Sequence, residues 1–319
     1  GALVGENRIL VRYGLRQFAK TKRVGLLKLM EICEVKPATV TTIDIASKIA
    51  PRLNSLGRIA DPLKGVKLML MHNTEAAEHL AQELDDNNTQ RQQIERRDAD
   101  DVEAYIHLHP KILKDKAIVL HSDNWHPGII PIIAARISKH YNRPTLVIAI
   151  DQGIGKGSIR TIPEFPLLNA LHKNTPLLLS YGGHDYAAGL IIKEENILKF
   201  KKSFIELANQ TLSNQDILLK LHLDAHVQFE ELTFDFLESL QLLEPYGTGN
   251  TPPILYTDVT QTWSPKVVGN THLKLYLEQN DRVLEGIGFG LGEERKKLTQ
   301  KNLKLQVAFT PHINFFLKK

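Results

Sequence analysis

Two short runs in this 319-residue chain carry residue types that handle anions. In Gly153-Ile154-Gly155-Lys156-Gly157-Ser158-Ile159-Arg160, glycines let backbone N–H groups approach an anion closely. Ser158 and Arg160 add a hydroxyl and a bidentate donor suited to phosphate. The spacing is not that of a P-loop, where Lys follows the last glycine and a helix comes next. A plain turn between two strands competes with the phosphate reading. In Ser180-Tyr181-Gly182-Gly183-His184-Asp185-Tyr186-Ala187-Ala188-Gly189, a His follows two glycines and precedes small residues. Close approach of a ligand is then open, and an exposed imidazole can donate to an anion or exchange a proton. A Gly-Gly hairpin with a bystander His accounts for the same residues.

His222, Asp224 and His226 alternate with apolar residues, which puts all three on one strand face as a metal-like trio or as a solvated polar face. His107 and His109 fall on different sides of a helix end. The sequence contains no Gly-x-Ser-x-Gly elbow, no Asp-x-Asp followed by Asp-His-His, and no His-Glu-x-x-His. A serine-hydrolase reading therefore has no support, and the carboxylate-rich cluster of a two-metal nuclease is missing.

The elements that must carry these residues follow from hydrophobic period. Ile9, Tyr13, Leu15, Phe18, Leu26, Leu27 and Leu29 predict helix from Asn7 to about Met30, interrupted near Gly25. Its other face repeats Arg8, Arg12, Arg16 and Lys20, with Lys22 and Arg23 beyond, either a solvated face or a phosphate-contacting stripe. Thr41 to Lys48 starts a helix, and Ala50 to Arg58 reads as a Pro- and Gly-punctuated segment between helices. Thr74 to about His109 is a long polar helix, ended by Pro110, whose narrow apolar stripe fits a bridge between domains. Strand Ala117–His121, helix Gly128–Tyr141 and strand Leu146–Ile150 form a βαβ unit. A short strand at Gly157–Thr161, a helix at Pro166–Lys173, a strand at Ala187–Ile192 and a helix at Glu195–Leu212 complete an α/β domain. Beyond it, Leu219 to Val227 alternates as one half-buried strand. A helix over Thr233–Leu243 precedes strands at His272–Leu277, Val283–Phe289 and Leu303–Phe309, together a small antiparallel β-barrel.

Composition bounds these readings. With 42% hydrophobic and 24% charged residues, collagen-like, coiled-coil and wholly disordered classes are excluded. A net charge of +4 admits local basic patches without demanding them. The single Cys33 excludes intramolecular disulfides and Cys-based zinc or iron–sulfur sites, which favours a reducing, cytoplasmic setting and an inert thiol. No apolar run approaches the ~20 residues of a membrane span, and a signal-peptide pattern is absent, so a soluble chain without a membrane partner is expected. The chain opens on Gly1 rather than Met and in mid-pattern, as a fragment would.

Four segments stand in a telling order: Leu3-Val4-Gly5-Glu6-Asn7-Arg8, Ala50-Pro51-Arg52-Leu53-Asn54-Ser55-Leu56-Gly57-Arg58, Tyr181-Gly182-Gly183-His184-Asp185-Tyr186-Ala187-Ala188-Gly189 and Glu244-Pro245-Tyr246-Gly247-Thr248-Gly249-Asn250. His126-Pro127-Gly128 to Arg136, Arg143-Pro144 and Gly157-Ser158-Ile159-Arg160 agree in order. Together they resemble the RecJ family of single-stranded-DNA exonucleases, within the DHH phosphoesterase superfamily. The resemblance implies an α/β DHH-associated domain (111–214) and a small OB-like β-barrel domain (215–319). A helical remnant of the DHH domain (1–73) and a long connecting helix (74–110) would precede them. It also implies a metal-dependent 5′→3′ exonuclease of DNA repair and recombination, of which this chain is the substrate-binding portion. The two Mn²⁺ or Mg²⁺ ions would be held by DHH-domain ligands upstream of Gly1, so this chain would bind no metal and be inactive alone.

By the same resemblance, His184 would contact the reacting phosphate. Arg58 and Arg160 would clamp phosphates, Ser158 would bond a 5′ phosphate, and Gly182, Gly183, Asn54 and His126 would join them in substrate binding. Tyr246 and Tyr256 would stack bases, and single-strand-binding protein and a helicase would be partners beside single-stranded DNA. Pro131 and Ala135 depart from the family's glycines, and the end from Pro311 to Lys319 is shorter than usual. A non-catalytic single-strand-binding module and a DHH-family oligonucleotide phosphodiesterase are the alternatives.

Overall fold

The structure is a computed structural model that describes residues 1–300 and 302–313. Residue contacts divide it into two units. The larger comprises Ala19–Val40 and Asp44–Lys220, the smaller Gly1–Phe18, Thr41–Ile43 and Leu221–Lys319.

In the larger unit, α2 (Val24–Ile32), α4 (Ala50–Ile59) and α5 (Leu63–Leu70) pack against the first half of α6 (Thr74–Leu108). The expected break at Gly25 falls instead at residues 19–23, between α1 (Gly5–Phe18) and α2. Gly25 lies inside α2 because a Cβ there would sit 1.8 Å from the Leu68 carbonyl oxygen; the glycine serves close helix contact rather than a turn. Ala50 to Arg58 is likewise helical, not irregular. After the short α3 (Thr42–Asp44) the chain makes one wide turn over Ile45–Ile49, in which the Ala50 N–H donates back five residues to Ile45. The wide turn admits Pro51, which lacks an N–H, in the first turn of α4.

Asn73 caps the 35-residue α6 by accepting the Ala76 N–H at 2.9 Å. The stripe of α6 is narrow but does enter cores. Ala77, Ala81 and Leu84 are buried at the helical end, and Ala99, Val102 and Ile106 pack with α7 (Ile130–Tyr141) at the other.

Strands β1 (Ile118–Ser122), β2 (Thr145–Asp151), β3 (Ile154–Arg160), β4 (Leu178–His184) and β5 (Ala187–Lys193) form one sheet in the order β1-β2-β3-β5-β4, parallel only at β1–β2. The βαβ expectation holds here. On one face α8 (Leu167–Lys173) and α9 (Glu194–Thr211) cover Val119, Leu146, Ile148, Ile159, Leu190 and Ile192. On the other, α7 covers Ile118, Leu120, Val147 and Ala149.

The glycine-rich run after β2 is a hairpin, not a phosphate loop. Asp151 pairs with Ile154 across Gln152 and Gly153, both at positive φ (47° and 78°), the requirement of a tight primed turn. Gly155 and Gly157 then lie within β3, where a Cβ would strike Ile148 and Ile192, or Leu190 and Leu146. The sequence reading missed β4. The β4–β5 turn is at Asp185–Tyr186, so Gly182 and Gly183 are strand residues rather than a hairpin tip.

The smaller unit holds β6 (Ala225–His226), α10 (Phe234–Gln241), β7 (Leu255–Gln261), β8 (Lys266–Val268), β9 (His272–Gln279), β10 (Arg282–Gly288) and β11 (Leu303–Phe309). The sheet runs β10-β9-β7-β11, with β6 on β7 and β8 on β9, over a core of Phe229, Val259 and Leu277. No ladder joins β10 to β11 among the described residues. The predicted strand over Leu219–Val227 shrinks to β6, which finds a partner only in Leu255 and Tyr256. Without one, Leu219 is 70% exposed, and Leu221 and Leu223 are exposed too.

The Glu244–Asn250 motif proves to be a packing knot. Arg8, first of the expected basic stripe, donates to the Leu242, Leu243 and Glu244 carbonyls (3.1, 2.7 and 3.3 Å), where cations complement a helix end. A Cβ on Gly247 would sit 2.6 Å from the Leu3 side chain. The short C-terminal end noted above lies, from residue 314 on, outside the described residues. No helix among the described residues is long and apolar enough to cross a membrane.

Candidate nucleic-acid interface

Strand alternation places Lys156, Ser158 and Arg160 on the α7 side of β3. α7 packs on β2 and β3, and the strip of sheet beyond it exposes Gly189 and Ile191 of β5 and Gly182 of β4. The result is an open groove of about 340 Å³ lined by Pro127, Ile130 and Pro131 of the α7 entry, by Lys156, Gly157, Ser158 and Arg160, and by Gly182, Gly183 and Ala187–Gly189. Pro131 is tolerated because it falls in the first turn of α7.

Gly182 and Gly183 differ in kind. A Cβ on Gly182 would meet nothing within 4 Å, whereas one on Gly183 would lie 2.4 Å from the Ala187 carbonyl oxygen and 2.5 Å from the Ala188 Cα. The first keeps the groove open; the second lets β4 approach β5.

The charge in the groove is uncompensated. Arg160 Nη1 donates to Ser158 Oγ at 3.2 Å and to its neighbour's carbonyl at 2.8 Å, and no carboxylate among the described residues pairs with it. Burial, and then the positive Arg58 nearby, lower the Arg160 guanidinium from its ordinary value. Arg58 is lowered by burial and by Arg91, against an opposing pull from Glu95. Arg58 Nη1 donates to the Gly128 carbonyl at 3.0 Å, and the two backbones touch, since a Cβ on Gly128 would be 2.1 Å from the Arg58 carbonyl oxygen. Half-buried cations that repel each other form a site that an anion relieves.

The structure thus brings Ser158, Arg160, Gly182 and Gly183 into one groove and sets Arg58 beside it. Asn54 is exposed one turn earlier on α4. His126 is half-buried, its Nδ1 accepting the Gly128 N–H at 3.0 Å. His184 is exposed at the end of β4, one residue past Gly183, and does not line the groove. In the smaller unit Tyr246 is tied down, its hydroxyl donating to the Leu240 carbonyl at 2.6 Å. Tyr256 meets His226 edge-on, with centroids 5.0 Å apart. Sequence reasoning missed Arg91, which reads as one more polar residue of α6, and it missed the exposed rings of β9's surroundings. Trp263 (56% exposed) lies 5.1 Å from Tyr276, Lys274 lies over the Tyr276 ring, and Phe289 (77% exposed) meets His272 at 5.2 Å.

No three or more His, Cys, Asp or Glu among the described residues converge as a metal site. Asp224 and His226 are spent otherwise, since Asp224 accepts the Ile254 N–H at 2.8 Å and His226 lies 3.8 Å from Asp258, while His222 is exposed.

Comparison with known proteins identifies two domains and a fold. Residues 114–213 match the DHHA1 domain and residues 223–319 the RecJ OB domain. The single-stranded-DNA-specific exonuclease RecJ of Bacillus subtilis is 30% identical over 292 residues, 90% of this chain and 37% of the relative. The Escherichia coli protein of the same name is 30% identical over 302 residues, 91% of this chain and 52% of its own. The chain therefore spans about half, or less, of the length of these relatives. A crystal structure of RecJ in complex with Mn²⁺ from Thermus thermophilus superposes with a TM-score of 0.80 at 29% identity, over 97% of this chain and 44% of that one. With the DHHA1 and RecJ OB domains in that order and one fold over nearly its whole length, the chain is similar to the RecJ proteins throughout.

Proposed function

We propose that this chain is the substrate-binding portion of a 5′→3′ single-stranded-DNA exonuclease acting in DNA repair and recombination. The observation that carries the reading is the pair Arg58 and Arg160, mutually repelling and without a carboxylate on Arg160, beside a strip of Gly and Ala. Guanidinium forks match phosphate oxygens, and a side-chain-free floor lets a sugar-phosphate backbone lie close. Ser158 Oγ is free to donate to a terminal phosphate while it accepts from Arg160. Asn54 and His126 flank Arg58, and His184, in register with Ala187 and through it with Arg160, is assigned to the phosphate that reacts.

Hydrolysis of a phosphodiester by divalent ions needs carboxylate ligands that the described residues do not assemble. The Mn²⁺ or Mg²⁺ of the working enzyme is therefore assigned to residues outside this chain, and the chain alone binds without cutting. The Trp263, Tyr276 and Phe289 rings, interleaved with Lys274, support base stacking by the smaller unit, a sequence-tolerant mode. The same rings favour a second reading, a single-strand-binding module without cleavage. Single-strand-binding protein and a helicase belong to the first reading as partners, and the cytoplasm as its setting.

The test is binding of this chain to 5′-phosphorylated and 5′-hydroxyl single strands and to duplex, with Mn²⁺ in the same tubes. Preference for the phosphorylated single strand supports the reading. Equal binding of all three defeats it, and chelator-sensitive cleavage would place a metal site on this chain.

A further inference from the structure

The groove's Arg58 is held by a turn, and the turn is held by α6. Asp98 of α6 is a carboxylate only 1% exposed, a costly placement unless its oxygens are filled. Its Oδ1 accepts from Arg97 Nε and Nη2 (2.9 and 2.6 Å), and its Oδ2 accepts the backbone N–H of His126 at 3.0 Å. One turn later Asp101 accepts the Trp125 indole N–H at 2.6 Å, and Arg97 also donates to the Asn124 carbonyl at 3.3 Å. Three consecutive residues, Asn124 to His126, are thus gripped by α6.

The grip passes onward through direct contacts. His126 Nδ1 accepts the Gly128 N–H, the Gly128 carbonyl accepts the Arg58 guanidinium, and the Gly128 Cα lies against the Arg58 carbonyl. Arg58 sits among the like charges of Arg160 and Arg91, the latter paired with Glu95, which draws Arg58 the other way. Left to itself, a flexible guanidinium would swing away from them; the Gly128 carbonyl is the fixed acceptor that keeps it in place.

We propose that Asp98 is the positioning residue of the anion site: by anchoring the 124–128 turn it sets the Arg58 guanidinium beside Arg160, touching neither arginine. The role rests on the phosphate-binding reading of the groove. A carboxylate that merely stabilised α6 would need no bond to the N–H of His126.

The experiment uses this chain, with Asp98→Asn, Arg58→Ala and the double variant. Two readouts are taken: affinity for a 5′-phosphorylated against a 5′-hydroxyl single strand, and the ¹⁵N signals of the Arg58 side chain. Asp98→Asn is expected to cut the preference for the phosphorylated strand about tenfold, with no further loss in the Arg58→Ala background, because coupled residues are non-additive. The Arg58 Nη signals, distinct while one nitrogen is held by Gly128, should merge in Asp98→Asn. An additive double variant, or equal losses with both strands, would overturn the role. Should the wild-type chain show no phosphate preference, the groove reading fails, and the nitrogen signals alone decide whether Asp98 sets Arg58. Unchanged signals in Asp98→Asn would end the inference.

Discussion

At the scale of single residues, the groove separates side chains that bind from side chains that fold. Arg160 lacks a carboxylate partner, so Arg160→Ala removes charge without orphaning a buried acid. Its thermal midpoint should stay near wild type, and affinity for a phosphorylated strand should fall by about 10- to 100-fold, the range of hydrogen bonds to charged groups. A wild-type dissociation constant in Arg160→Ala would remove this arginine from the site. The adjacent glycines make an internal control. Gly183→Ala puts a Cβ 2.4 Å from the Ala187 carbonyl oxygen, and overpacking of that kind costs about 1–3 kcal/mol, measurable by denaturant unfolding. Gly182→Ala meets nothing within 4 Å; stability should be unchanged while strand binding weakens, and equal unfolding midpoints for the two variants would contradict the assignment.

At the scale of elements, period and turn chemistry were legible where they acted locally. The βαβ unit, α6, α9 and the strands β9 to β11 follow directly from spacing, because each buries its own stripe. What failed depended on a partner that spacing does not encode. Leu219 to Leu223 alternates as a strand does, yet only Ala225 and His226 find a neighbour. β4 was invisible because its residues are Gly-rich and exposed, and Gly25 was read as a break because its use is contact with Leu68. In the site, the Arg160 and Ser158 pair could be read from its spacing, whereas Arg91 and the acceptor role of Gly128 required the packing of α6 and α4.

Elements also set a pH dependence. His121 of β1 is exposed as a residue, and partial desolvation together with Lys201 of α9 lowers it modestly, with Glu194 opposing. The unfolded chain therefore takes up the proton first, and the stability that this imidazole contributes above its unfolded value of about 6.5 drains as pH falls through the folded one. Thermal midpoints should drop between about pH 7 and pH 5, and His121→Asn should make that drop shallower. Parallel profiles for the two proteins would exclude this residue as the source.

At the scale of the whole molecule, binding governed by backbone phosphate should be steep in salt and blind to sequence. For single strands each phosphate contact adds about 0.7 to the slope of log affinity against log salt, so Arg160→Ala should reduce the slope by about that amount for every base composition. A loss confined to one sequence would point to base readout instead. The absence of the metal motifs was legible in the sequence itself, while the Glu244–Asn250 motif, which offered Tyr246 as a base-stacking candidate, serves to hold Leu3 and Arg8.

The wide turn at Ile45–Ile49 has a consequence of phase. A helix advances about 100° per residue, so the extra residue that this turn absorbs sets the compass bearing of everything after it, with Leu56 buried inward and Arg58 against Gly128. Deleting one residue there would restore the ordinary pitch and rotate α4 by that angle. Leu56 and Arg58 could then no longer both face their partners, and the proposed phosphate clamp would be lost by an edit some ten positions away from it.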